Sequence, residues 1–519
     1  MLAKILPTRQ VISQPITLDY LRCSPKISEF FPAHFRTKNF RDIRVDRPQI
    51  AKNLTEYNQT LNAPAKVMEN IKLLRSDNNF AVITGQQPGL FTGPLFTIYK
   101  AFSAIIISKR LSNSRYQFVP IFWNASEDHD LREMNHIYVM KDNKPLRIDC
   151  PLRGKGSASE VELDQEKIGQ AISRISQALP DTEFKDSILE KFQSLSSESK
   201  NLGDFFSRIM LYLLGEYGLI LIEPKYLRKP MIPLFKRMID NPAKCSKILN
   251  ETGARLKELG YSPPIHKSPN LCNFFVERKK VIYDGDFQVG DHTYSRKELL
   301  HLLEKDPFSF SANAVTRPIT QDYILPTYAY VAGPSEITYF AQLSQIYREF
   351  GMEMPVIYPR FGATVIENKV LMVLRKYDLK IFDLESPQAL VKRLVAREIK
   401  PVFNSGRKRL QEIFRDIEET ALKINGSLGD SCQVSLGRVL KEMGALEDKL
   451  TRSLKRQNII VERQVYKAAN NVFPENELQE RKINLLEYLI KFGPNFLSDV
   501  YREFLKSDYG EHRVIKLPS

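Results

Sequence analysis

Glu127, Asp128, His129 and Asp130 stand in a row in this chain, with Glu133 and His136 close behind. An imidazole flanked by carboxylates can act as a tuned general base, and the carboxylates can hold Mg²⁺ beside a phosphate. Asp128, His129 and Asp130 are therefore the candidate catalytic residues. A solvated charged loop is the plainer alternative, and Glu133 and His136 read equally well as residues that cap and orient it. His129 and His136 would share a face on a helix, but two histidines do not make a zinc site. Upstream lies Thr84-Gly-Gln-Gln-Pro-Gly-Leu-Phe-Thr-Gly-Pro94, which is neither a Walker A loop nor the dinucleotide glycine fingerprint. Its glycines let backbone amides approach a ligand, and a following helix start favours negative charge. Gly85, Gln86, Gln87, Gly89, Thr92, Gly93 and Lys100 are the candidate cofactor-binding residues, Lys100 reaching back from the helix. A third group comprises Arg317, Gln321 and Asp322, then Gly333, Glu336 and Tyr339, then Arg360. Arginine grips a carboxylate bidentately, so these residues, together with Glu127, are candidates for binding an acidic substrate.

The elements that must position these groups are visible as pattern. Phe80–Thr84 is a short β-type run, and Leu95, Ile98, Phe102, Ile105 and Ile106 follow helical spacing. Phe118–Trp123 is a second apolar run, which completes a β-α-β unit. Tyr217–Glu223 and Met354–Arg360 are further strand candidates, the latter weakened by its prolines. Four strands thus end near Thr84, Ser126, Glu223 and Arg360, and in open α/β sheets the ligand crevice lies beyond the carboxyl ends of the strands. The spacing predicts an α/β protein with a parallel-sheet core interrupted by inserted subdomains. A hairpin is expected from Val276 to Tyr283, turning at Asp284-Gly-Asp286.

Beyond Glu385 the character changes. Leu410, Phe414, Ile417, Ala421, Ile424 and Leu428 follow a 4-3-4-3-4 spacing, and a second seam runs from Leu436 through Val439, Met443, Leu446 and Leu450. That pattern predicts an antiparallel coiled-coil hairpin whose natural use is self-association. The expected organisation is 1–150 for N-terminal helices and the first half of the core, then 151–310 for the third core strand with insertions. The second half of the core and the site wall follow at 311–384, the coiled coil at 385–470, and C-terminal helices packing back at 471–519.

Composition narrows the function classes. With 43% hydrophobic and 26% charged residues the chain can bury a sizeable core, and no apolar run approaches the roughly 18 residues that span a bilayer. The opening residues lack an apolar signal core, so a cytoplasmic location is expected. Five scattered cysteines with no C-x-x-C pair support neither a disulfide framework nor a zinc site. The formal charge of +15 is spread along the chain, with 24 Lys/Arg against 19 Asp/Glu from Glu385 onward. Nucleic-acid binders concentrate charge on one stripe, so this distribution argues against such a partner.

The glycine-rich segment, Trp123-Asn-Ala-Ser-Glu-Asp-His-Asp130, Arg317-Pro-Ile-Thr-Gln-Asp322, Gly333-Pro-Ser-Glu-Ile-Thr-Tyr339 and the closing Gly510-Glu-His-Arg513, in this order, resemble the BshC family. The resemblance implies a Rossmann-like core with inserted connecting peptides and a C-terminal coiled coil used for homodimerisation. It also implies a ligase that joins cysteine to the amino group of glucosaminyl-malate, the last step of bacillithiol assembly. Amide formation needs carboxylate activation, so ATP or another adenine nucleotide is the expected cofactor, with Mg²⁺ as its companion and no zinc. On this view the Gly85–Gly93 loop cradles phosphates, while Arg317 and Arg360 hold the malate carboxylates. Two other classes stay open: a nucleotidyl- or other group-transferase that makes no amide, and a non-enzymatic coiled-coil scaffold or RNA-binding protein.

Overall fold

Two strands of mostly β-branched and aromatic residues, β1 (Asn79–Gln86) and β2 (Gln117–Asn124), lie side by side in register at the centre of the molecule. The computed structural model describes residues 5–37, 43–152, 156–397, 400–457 and 459–517. With β3 (Ile220–Ile222), β4 (Thr327–Ala332) and β5 (Val356–Pro359) they form a five-stranded, all-parallel sheet in the order β5-β4-β1-β2-β3. Read from the other edge this is the 3-2-1-4-5 order of a doubly wound sheet, with the switch point between β1 and β4. The strands read as continuous apolar runs because both faces of the sheet are covered. β4 is not among the strands expected from sequence, although Thr327-Tyr-Ala-Tyr-Val-Ala332 is rich in strand-forming residues and fully buried. Pro326 and the polar motifs on either side hide it.

Helix α1 (Phe96–Leu111) follows the glycine-rich loop and packs on β1, β2 and β4. It is buried nearly all round because the C-terminal helix Asn495–Leu505 covers its far side, with Tyr99 edge-on to Phe504 at 5.1 Å. The helix Arg47–Thr60 lies against β3 at the edge of the sheet.

Three additions surround this core. A hairpin, His136–Lys141 with Lys144–Asp149, follows the acid–histidine stretch. A five-stranded antiparallel sheet is inserted before β4 and includes Leu271–Val276, Lys279–Asp284 and Phe310–Ala312. A hairpin turn at Glu277-Arg278 falls inside the expected Val276–Tyr283 segment, and the expected turn at Gly285 is present with φ +85°. A small sheet joins Ile5–Leu6, His512–Lys516 and Gly362–Ile366, tying both ends of the chain to the residues just after β5.

The two long helices α2 (Lys400–Ile424) and α3 (Leu428–Gln457) pair as an antiparallel hairpin, and α4 (Ile459–Val472) leads back to the body. A second hydrophobic core, including Ile366, Leu390, Val465 and Val472, anchors the base of this arm. Among the described residues no helix is long and apolar enough to cross a membrane.

Candidate active site

The glycine-rich loop leaves β1 at the switch point, and its backbone is unusual. Phe91 has φ +47°, Thr92 φ +79° and Gly93 φ +67°. A β-branched residue in the left-handed region is strained, so Thr92 is held there by its surroundings. A Cβ on Gly89 would lie 2.8 Å from Gly93 Cα, and one on Gly85 would lie 2.7 Å from the Trp123 carbonyl, so neither position admits a side chain. The hydroxyls of Thr92 and Thr97, at the start of α1, are buried with no hydrogen-bond partner. The amides of Gly89, Thr92, Gly93, Leu95 and Thr97 already donate to backbone carbonyls, so these two hydroxyls are the unpartnered side-chain donors beside the start of α1, where a negative charge is favoured.

Lys100 reaches back from α1, as its spacing predicts. Its Nζ donates to the Gly85 carbonyl at 2.8 Å and to Gln86 Oε1 at 3.1 Å, and pairs with Glu336 Oε2 at 2.6 Å. Glu336 lies in the helix Pro334–Phe340 that begins directly after β4, and its Oε2 accepts the Gly333 amide at 2.7 Å, closing the helix start. Its Oε1 accepts from Tyr330 OH at 2.9 Å. Arg317 stands beside this pair, donating to Gln321 Oε1 at 3.1 Å and to Tyr330 OH at 3.4 Å, near Tyr339. Burial pulls the Lys100 ammonium down, with Glu336 opposing. Burial pushes the Glu336 carboxyl up, but Lys100, the Gly333 amide and Tyr330 outweigh it and hold the group ionised below its ordinary range. Burial alone would lower Arg317, yet Tyr330, Tyr339 and Glu336 raise it. Among the described residues Arg317 forms no ion pair with a carboxylate, so its guanidinium has hydrogens left for an anionic ligand.

The acid–histidine stretch leaves β2 on the same rim. Asp128 Oδ2 accepts from Gln87 Nε2 at 2.5 Å, which joins this stretch to the glycine-rich loop. Its Oδ1 accepts the Asp130 amide at 2.9 Å. Glu127 pairs with the buried Arg228, a cation just beyond β3. Ser126 Oγ donates to Glu223 Oε2 at 2.6 Å, and Tyr57 OH to Glu223 Oε1 at 2.8 Å, so the acid that ends β3 anchors the stretch from below. His129 and Asp130 are exposed, and His129 meets the inserted sheet edge-on at Phe275, 6.4 Å away. The shared helical face expected for His129 and His136 is absent. Leu131–Met134 is a single turn and His136 opens a strand, because the alternating run from Ile137 pairs with Lys144–Asp149. Among the described residues no three His, Cys, Asp or Glu side chains gather as a metal cage.

Arg360, at the end of β5, pairs with the buried Glu480 at 2.5 Å and stacks over Phe96 at 5.7 Å. Its Nε lies 3.6 Å from where a Cβ on Gly333 would be, so it backs the start of the Glu336 helix. Asp322 lies deeper, accepting from Gln321 Nε2 at 2.8 Å and Tyr347 OH at 2.5 Å, and burial raises its carboxyl. A cleft of about 1460 Å³, lined by Ile50, Tyr226, Tyr323 and Phe350, reaches Asp322. It includes neither the glycine-rich loop, His129 nor Arg317.

Comparison with known proteins follows the same division as the fold. Residues 1–361 match the family described as Bacillithiol biosynthesis BshC, N-terminal Rossmann-like domain, and residues 363–517 match its C-terminal coiled-coil domain. The chain belongs to the BshC family. A Salinibacter ruber relative is 31% identical over 523 residues, covering 96% of this chain and 95% of its own. One from Bacillus cytotoxicus is 30% identical over 534 residues, covering 97% and 98%. One from Bacillus cereus strain B4264 is 31% identical over 532 residues, covering 98% and 99%. All three carry the name "Putative cysteine ligase BshC".

The structure thus brings Gly85, Gln86, Lys100, Gly333, Glu336 and Arg317 into one contiguous polar cluster, with Gln321 and Tyr339 against Arg317 and Asp128 joined through Gln87. His129 and Asp130 lie on the exposed rim, and Arg360 and Asp322 flank the cluster in bonds of their own. Arg228, Tyr330, Glu480 and Asn484 escaped the sequence reading. Tyr330 had a signal, as an aromatic residue three positions ahead of Gly333 on β4. The other three sit in ordinary helical or loop context, and only their distant partners reveal them.

Proposed function

We propose that this chain is a ligase that joins cysteine to the amino group of glucosaminyl-malate, completing bacillithiol. The observation that carries the reading is the polar cluster at the β1/β4 switch point, where the strained glycine-rich loop, Lys100, Glu336 and Arg317 meet in a chain of the BshC family. A nucleotide such as ATP would supply the leaving group that a carboxylate oxygen lacks. The residues fit its phosphates: close-packed glycine backbone, two unpartnered buried threonine hydroxyls and a helix N-terminus. Lys100 would add a positive charge at that point, held against Glu336 until an anion competes for it. The described donor set offers no metal cage, so no step is assigned to Mg²⁺.

The chain's own residues would then do three things. Arg317 receives a malate carboxylate through its unused guanidinium hydrogens, with Arg360 close by. His129, exposed and with its ring edge-on to Phe275, takes the proton that the free amine of the substrate loses as it attacks. Asp128, fixed by Gln87, keeps the His129 loop beside the phosphate loop. As the C–N bond forms, the bond between the cysteine carboxyl carbon and its activated oxygen would break, that oxygen departing on the nucleotide-derived phosphate group, and the amine proton would pass to His129.

Two further readings belong to the same proposal. Ile413, Ile417, Leu446 and Leu450 on the arm are 41–53% exposed, and a second copy of the arm would cover them, giving a homodimer. The enzyme would work in the cytoplasm, where its small-molecule substrates are made.

The test is incubation of purified protein with cysteine, glucosaminyl-malate and ATP, read by mass spectrometry. A product of the combined mass less one water, formed only with all three, is expected. Well-folded protein that forms no product with any acyl donor would overturn the ligase reading. ATP–pyrophosphate exchange without product would favour a group-transferase instead.

A further inference from the structure

The C-terminal segment that returns from the arm reaches the glycine-rich loop directly. Asn484 is fully buried, and its Nδ2 donates to the Phe91 carbonyl at 2.9 Å and to the Gly93 carbonyl at 2.6 Å. These two carbonyls flank Thr92, whose φ is +79°. One amide group therefore clamps both sides of a strained residue. The Asn484 side chain is fixed in turn, since its Oδ1 accepts the Leu486 amide at 2.9 Å. The backbone joins in, with the Ile483 carbonyl accepting the Leu95 amide at 2.9 Å and a β-bridge pairing Pro94 with Asn484. Four residues earlier, Glu480 holds Arg360 and accepts the Ala363 amide at 3.0 Å.

We propose that Asn484 is a positioning residue that holds the glycine-rich loop in its anion-receiving shape, so that the phosphate cradle is completed by the C-terminal segment. This deepens the ligase reading and rests on it for the identity of the anion. Strain at a left-handed threonine persists only where the surroundings over-determine it, and without the clamp Thr92 relaxes toward negative φ. The carbonyls of Phe91 and Gly93 then swing, and the Thr92 hydroxyl leaves its buried position in the loop.

Asn484→Asp tests this with an isosteric side chain that has lost its donor, and Asn484→Ala removes the clamp altogether. Hydrogen exchange across residues 89–97 is expected to quicken by about tenfold or more, while β1 and β2 keep their protection. Adding Thr92→Gly to Asn484→Ala should restore much of that protection, because glycine adopts the left-handed conformation without strain. Affinity for a non-hydrolysable ATP analogue should fall with the loss of loop protection. Unchanged exchange in the loop, or equal acceleration throughout the sheet, would overturn the proposal, as would an unaltered analogue affinity in a variant with a loosened loop. If the unmodified protein bound no nucleotide, the phosphate-cradle reading would fail while the exchange measurement still judged the clamp.

Discussion

Replacing Glu336 by Gln should strand a buried ammonium. Lys100 is 3% exposed, and its Nζ lies 2.6 Å from Glu336 Oε2. At that separation, with an effective dielectric of about 20, the gross attraction is about 6 kcal/mol. Desolvation of the two ions cancels most of this, so the pair as a whole adds little. Removing one member leaves the other buried without a counter-charge, which costs about 3–5 kcal/mol. Glu336→Gln and Lys100→Met are each expected to lose about 3 kcal/mol, while the double variant should lose about 2 kcal/mol, not 6. The deficit of Glu336→Gln should narrow as pH rises toward the unfolded lysine value of about 10.4. Lys100 already has a lowered folded pKa, so in that window the unfolded chain binds more protons and stability rises with pH. The assay is urea denaturation followed by the fluorescence of Trp123, the sole tryptophan, which is buried on β2 in register with Gly85. Single losses below about 1 kcal/mol that simply add in the double variant would refute a buried, coupled pair.

Other outcomes follow from the same geometry. His129→Ala should cut product formation by about 10²-fold or more with little change in melting temperature, since the side chain is exposed; unchanged turnover would remove it from the chemistry. Arg317→Lys should raise KM for the acidic substrate by about tenfold, because the planar fork is lost although the charge is kept, whereas a fall in kcat alone would contradict a binding role. Leu446→Asp with Leu450→Asp should convert a dimer to monomer in analytical ultracentrifugation without shifting the unfolding of the core. Glu336, Glu480 and Glu367, the last paired with Lys369 and Lys491, all have lowered folded pKa values, so their stabilisation is present above the unfolded value of about 4.3 and is lost as pH falls through the folded values. An acid-unfolding midpoint well above pH 4 would place the controlling groups elsewhere.

Local pattern carried much of this architecture. The apolar runs at β1 and β2, the helical spacing of α1 and the long helices α2 and α3 are written in contiguous residues, and the structure has all of them, although Ile417, Leu446 and Leu450 of the predicted seams are exposed. Lys100 reaching back to Gly85 was also legible, because helix geometry fixes where a side chain on the first turns can go. β4 is less legible, since its run is short and bounded by Pro326 and by polar segments on either side. The pairings that shape the site are non-local. Asn484 and the Phe91 carbonyl are 393 residues apart, and Arg360 and Glu480 are 120 apart. No periodicity in one sequence encodes such meetings, because they are decided by how the C-terminal segment docks on α1 and the post-β5 strand. The same holds for Glu127, whose buried partner Arg228 is contributed by an irregular stretch after β3.

The most direct test is a crystal structure with a non-hydrolysable ATP analogue and glucosaminyl-malate bound together. Phosphates against the Gly85–Gly93 backbone, with a malate carboxylate on Arg317, are the predicted result. Both ligands in the cleft lined by Ile50, Tyr323 and Phe350, with the glycine-rich loop and Arg317 untouched, would contradict it.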